Sequence, residues 1–127
     1  MQKNSLYPFI LILLLTSTIT FANNAASVFN KANEYYSSGK FKQAIILYKK
    51  ARRNGIDPAV CSFNIGNCYF QAGDLPAAAA AYRSAVYTDS KTGTDALLNL
   101  GGVLFRMGNY GESIGAYRRG LQKAPDN

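Results

Sequence analysis

The strongest constraint on this chain is that it repeats itself. From Ala25 onward it aligns with itself at a step of 34 residues and then, after one inserted residue, at a step of 35. Asn30, Asn64 and Asn99 fall in register, as do Ala32, Gly66 and Gly101, then Tyr35, Tyr69 and Leu104, then Gly39, Gly73 and Gly108. The match continues through Phe41, Leu75 and Tyr110 and through Ala44, Ala78 and Ser113. It closes with Tyr48, Tyr82 and Tyr117, and with Ala51, Ala85 and Gly120. Three copies of one pattern make the repeat, not the whole chain, the unit of folding. A unit this short cannot bury its own apolar face, so it gains a core by stacking on its neighbours.

Within each copy, apolar residues recur at steps of three and four. The periodicity predicts helix pairs over 26–38 with 42–53, 60–72 with 76–87, and 95–107 with 111–123. Gly39, Gly73 and Gly108 follow the first helix of each pair, where a left-handed residue closes the last turn. Pro76 suits the first turn of its helix, where a missing N–H costs little. Ala32, Ala44, Ala51 and their register mates let paired helices approach, and the tyrosines fill the space between them. No capping segment is evident after the third pair, so Ile114, Tyr117 and Leu121 are expected to be partly exposed, or covered by another copy, by a partner or by a continuation of the chain past Asn127.

At these positions the chain resembles the tetratricopeptide repeats, a helix–turn–helix family of this period. The second copy carries the resemblance best, with Asn64-Ile65-Gly66-Asn67, then Tyr69, Gly73-Asp74, Ala78, Tyr82 and Ala85. The third ends in the link Ala124-Pro125-Asp126-Asn127. The repeats run 25–58, 59–92 and 94–127. Val28 and Ser62 depart from the pattern where a large aromatic is common, and Gly120 is a weak helix residue. The resemblance implies an all-α, right-handed α-solenoid of three repeats that acts as a non-enzymatic interaction module. The run from Ala32 to Ala51, followed by Phe63 to Phe70, is also similar to the repeat module of the Bacteroides aerotolerance-operon proteins, which carry further segments after their repeats.

The resemblance further implies that the first helix of each pair lines a concave groove that takes a protein or peptide segment. The groove positions are then Phe29, Asn30, Asn33 and Tyr36; Phe63, Asn64, Asn67 and Phe70; and Asp95, Leu98, Asn99 and Phe105. Steps of three and four keep such residues near one face of a helix, giving an apolar floor beside a row of asparagines. An amide both donates and accepts, so it can bind a peptide backbone in either polarity. The same aromatics and amides also serve as core and interhelical contacts. A clamp for a C-terminal carboxylate is not expected: Asn33 and Asn64 fit it, but Phe29, Asp95 and Asn99 stand where its cations belong, which would leave a buried carboxylate unpaired.

Composition removes most chemistry. The chain has no histidine and two cysteines, so it offers no imidazole base, no His-ligated metal and no four-thiolate zinc site. No metal or cofactor is expected. Cys61 and Cys68 lie two turns apart on one helix, about 10.5 Å along its axis and beyond disulfide reach. Both read as small buried packing residues; the alternative is a redox or intermolecular role, with Cys61 the one expected to be exposed. Lys49, Lys50, Arg52 and Arg53 sit at a helix C-terminus, where cations suit the macrodipole, and Arg118 and Arg119 repeat the pattern. These are expected to be solvated faces, with an acidic partner or membrane surface as the alternative. Nucleic acid is not expected, since no interleaved base-stacking motif accompanies them. Gly101-Gly102 and Gly39-Lys40 lack the frame of a phosphate loop.

The first 22 residues read as an address. Lys3 is the only charge before Lys31; Phe9 to Leu15 is an unbroken apolar run, and Thr20 and Ala22 place small residues at a cut site. This is the layout of a secretory signal peptide, implying export to the periplasm or envelope of a bacterium and a processed chain beginning near Asn23. The alternative is an uncleaved membrane anchor, against which Thr16, Ser17, Thr18 and Thr20 dilute the segment.

Overall fold

A computed structural model describes residues 6–87 and 89–124, with the side chains of residues 21 and 22 excepted. Lys3, and the closing link from Pro125 to Asn127, lie outside the described residues. Among the described residues six helices follow one another: α1 (Tyr7–Ser37), α2 (Phe41–Arg53), α3 (Pro58–Gln71), α4 (Leu75–Ala85), α5 (Lys91–Arg106) and α6 (Tyr110–Lys123). No strand occurs among the described residues. Antiparallel pairs α1–α2, α3–α4 and α5–α6 stack in order, each packed chiefly on the next, which makes the chain an all-α solenoid.

The helix boundaries follow local chemistry. Gly39, Gly73 and Gly108 all adopt left-handed φ, at 73°, 83° and 79°. Each N–H bonds back to the helix, and the next residue's N–H returns to a carbonyl one position earlier, as in Lys40 to Tyr35 at 2.8 Å and Asn109 to Leu104 at 2.9 Å. Gly55 closes α2 the same way, with φ 101° and Ile56 N–H on Ala51 at 3.0 Å, a turn the repeat register did not single out. Asp57 caps α3 by accepting from Ala59 N–H at 2.7 Å, with Pro58 in the first turn. Asp74 caps α4 through Ala77 N–H at 3.1 Å. Helix α5 begins at Lys91 rather than near residue 95, because Ser90 accepts from Gly93 N–H at 3.2 Å and starts the helix one turn early.

Small residues set the spacing between helices. Ala32, Ala44, Ala51, Ala78 and Ala85 are fully buried, and the rings of Tyr48 and Tyr82 fill the gaps beside them. A Cβ added to Gly66 would lie 2.6 Å from the Tyr82 ring, so only glycine admits that ring. In the third pair Ser113 replaces alanine and donates its hydroxyl to the Gly101 carbonyl at 2.7 Å, satisfying a buried polar group. Arg83 and Glu112 pair at 2.8 Å between α4 and α6.

Helix α1 departs from the expected boundary near residue 26. It runs unbroken for 31 residues, about 46 Å at 1.5 Å per residue. Between Phe9 and Ser37 there is no glycine or proline to stop it. By length and composition it could cross a membrane, and from Leu6 to Leu15 its large apolar side chains are exposed.

Candidate functional site

The inner face of the stack is organised by a repeated pair. The Tyr48 hydroxyl of α2 donates to Asn33 Oδ1 of α1 at 2.6 Å. The Tyr82 hydroxyl of α4 donates to Asn67 Oδ1 of α3, also at 2.6 Å. Burial raises the pKa of both phenols, that of Tyr82 to about 12, so they remain donors at neutral pH. Asn99 of α5 adds its amide N–H to Asn67 Oδ1 at 3.4 Å. The two Asn67 interactions consume its acceptor and leave its NH2 group available to a ligand.

Around this network the helices enclose a concave pocket of about 380 Å3. Tyr36 of α1 and Phe70 of α3 form apolar walls, with Leu98 and Val103 of α5. Asn67, Gln71, Asn99 and the hydroxyl-bearing Tyr82 and Tyr117 supply polarity, and Gly102 and Arg106 complete the lining. The Arg106 guanidinium lies over the Phe70 ring, 5.0 Å from its centre.

Of the residues expected to line a groove, Tyr36, Asn67, Phe70, Leu98 and Asn99 are thus brought together. The rest lie elsewhere. Phe29 packs edge-on against Tyr48 with ring centres 5.4 Å apart, and Phe63 against Tyr82 at 5.8 Å, so both are half-buried wedges between paired helices. Asn33 serves Tyr48. Asn64 turns its amide back to the Val60 carbonyl of its own helix at 3.1 Å. Asn30 is exposed in a shallow hollow beside Asn23, Lys31 and Glu34. Asp95 is paired with Lys91 at 2.7 Å. Phe105, 60% exposed, leans on Tyr110 at 5.2 Å on the outermost pair. The continuous asparagine row is therefore a set of separate local contacts.

Sequence reasoning passed over Gln71, Gly102, Val103 and Arg106, and it took Tyr82 and Tyr117 as filler alone. One signal was present: Gly102 is the register mate of Asn33 and Asn67, and its lack of a side chain leaves a notch opposite Tyr117.

Cys61 and Cys68 are both fully buried, as small packing residues are, and Cys61 is not the exposed thiol that the alternative reading expected. Burial pushes both thiols up to about 11. Lys49, Lys50, Arg52 and Arg53 are exposed on the outside of α2, with Arg52 reaching Ser62 at 3.4 Å.

Comparison with curated proteins gives no match. Family models described as tetratricopeptide repeat match residues 29–93 and 94–127. Repeats of this family generally mediate protein–protein interaction, and the stacked pairs with a concave inner face have the form such a role needs. The chain belongs to the tetratricopeptide-repeat family.

Proposed function

We propose that the chain is an exported docking module that binds an extended segment of a partner protein along its inner face. The observation that carries this reading is the pocket itself, which combines aromatic walls with amide and hydroxyl groups, the Asn67 NH2 and the Tyr117 hydroxyl among them, at the junction of three helix pairs. Such a surface buries side chains of a bound segment while its amides bond to the segment's backbone. Site-specific photo-crosslinking in cells tests it. A photoreactive side chain at position 99 should yield a partner adduct, and one at position 49 on the outer face should not. Adducts at position 49 alone would place the partner on the basic surface.

Export rests on the N-terminal pattern of Lys3, the Phe9–Leu15 run and the small residues near Ala22. A second reading, an uncleaved anchor, is favoured by a specific feature of α1. The Thr16, Ser17 and Thr18 hydroxyls donate to the carbonyls of Leu13, Leu14 and Leu15 at 2.8–2.9 Å, and Thr20 bonds back to Thr16 and Ser17. These residues hide their polarity inside the helix, so they dilute its apolar surface less than their side chains suggest. The N-terminus of the protein isolated from cells decides between them: processing gives a chain starting at or near Asn23, anchoring a membrane-bound chain starting at Met1.

A further inference from the structure

Comparison of the three repeats with one another shows what the pocket lacks. In the first and second repeats the tyrosine of the second helix finds an asparagine carbonyl on the first, Tyr48 with Asn33 and Tyr82 with Asn67. In the third, Gly102 stands at that position, and Tyr117 has no hydrogen-bond partner among the described residues. The fit is close: a Cβ on Gly102 would lie 3.3 Å from the Tyr117 hydroxyl, where the first two repeats hold an amide. The missing oxygen acceptor leaves a notch that opens into the pocket.

The groups around the notch favour an anion. Among the described residues, Arg106 is the one charged residue lining the pocket, and it makes no ion pair. No carboxylate of the described residues lines it. Asn67 has spent its acceptor on Tyr82 and Asn99 and presents its NH2 group. Tyr117, Asn67 and Arg106 thus line one pocket as donors, at a position where the acceptor of the other two repeats has been deleted. We infer that the pocket takes an aspartate or glutamate side chain of the bound segment, its carboxylate occupying the place that an asparagine carbonyl fills in the other two repeats. This inference rests on the groove reading and adds the chemistry of the side chain selected. A carboxylate suits it better than an amide, because hydrogen bonds to a charged group are roughly twice as strong as neutral ones.

Random peptides displayed on phage and selected on the full chain in mild detergent provide the probe. The enriched peptides should carry Asp or Glu. Replacing that residue by Asn or Gln in the synthetic peptide should weaken binding about tenfold or more. The discrimination should collapse in Arg106→Gln, which alters an exposed side chain. It should also shrink in Gly102→Asn, which restores the in-register acceptor for Tyr117. Leu98→Ala serves as the groove control, and helical circular dichroism confirms that each variant is folded. Enriched peptides without acidic residues, or unchanged acid-over-amide discrimination in both polar variants, overturn the inference. If Leu98→Ala still weakens binding in that case, the groove reading stands without it. If none of the three variants alters binding, or no peptide is enriched, the groove reading fails and takes this inference with it.

Discussion

Tyr82 and Asn67 hold the middle repeat together through one short bond, hydroxyl to amide oxygen at 2.6 Å, fifteen residues apart in sequence. The tyrosine is 2% exposed, and the amide N–H of Asn99 beside its hydroxyl donates and does not accept, so removing the Asn67 amide takes away its protein acceptor. Asn67→Ala should therefore cost about 1–3 kcal/mol, the penalty of an unsatisfied buried donor. Tyr82→Phe should cost less, about 0.5–1.5 kcal/mol, because Asn67 Oδ1 keeps its bond from Asn99. Denaturant unfolding of the two variants checks the order, and an equal or reversed cost would refute it.

Gly66 and Gly101 occupy equivalent places but should respond differently to alanine. The Tyr82 ring would meet the new methyl at 2.6 Å and has nowhere to go, so Gly66→Ala should lose about 1–3 kcal/mol to overpacking. The Tyr117 ring would be met at 2.9 Å but is 38% exposed and can swing outward. There the gain in helix propensity, about 1 kcal/mol, offsets the displacement, and Gly101→Ala should be near neutral. Thermal melts of both variants would expose an error in this distinction.

The buried thiols predict a loss of stability at alkaline pH. Burial raises Cys61 and Cys68 from 9.0 to about 11, so between those values the unfolded chain releases protons that the folded chain retains. Stability must then fall as pH rises from about 9 toward 11. Cys61→Ala with Cys68→Ala should remove the fall between about pH 9 and 10 and make it shallower above that, where the raised phenols of Tyr48 and Tyr82 contribute a loss of the same sign. At neutral pH, a thiol reagent should label the native protein only as fast as it opens.

The edge of the third repeat presents Ile114 and Leu121, 59% and 68% exposed. Two such edges can cover one another, so association should rise with protein concentration. Ile114→Lys with Leu121→Lys should abolish it without reducing helix content. Sedimentation velocity over a range of concentrations reads this directly, and unchanged association in the double variant would locate the contact elsewhere.

The repeat architecture was legible because it rests on side chains that act locally. Glycine at a left-handed turn and alanine at a close helix contact announce themselves at a fixed spacing wherever they recur. The pocket was only partly legible, because register identifies equivalent positions but not the partners their side chains choose. Asn64 and Asn67 lie on the same helix, yet one bonds to its own backbone and the other to a neighbouring tyrosine. Phe29 and Phe63 occupy groove positions by register, but the adjacent tyrosine rings draw them between the helices. The start of α1 was missed for a different reason. A change in composition near Asn23 reads as a boundary, whereas helix propagation ends only where geometry or a competing bond stops it.

Tyr117 belongs to two surfaces, since its ring borders both the inner pocket and the exposed edge beside Ile114 and Leu121. A molecule that covers the edge and holds the ring in a new position must alter affinity at the pocket. By thermodynamic reciprocity, a segment bound in the pocket alters affinity at the edge by the same factor. The two surfaces are thus joined by one side chain that can serve as a linkage between cargo and assembly, with its sign set by whether both occupants favour the same position of the ring.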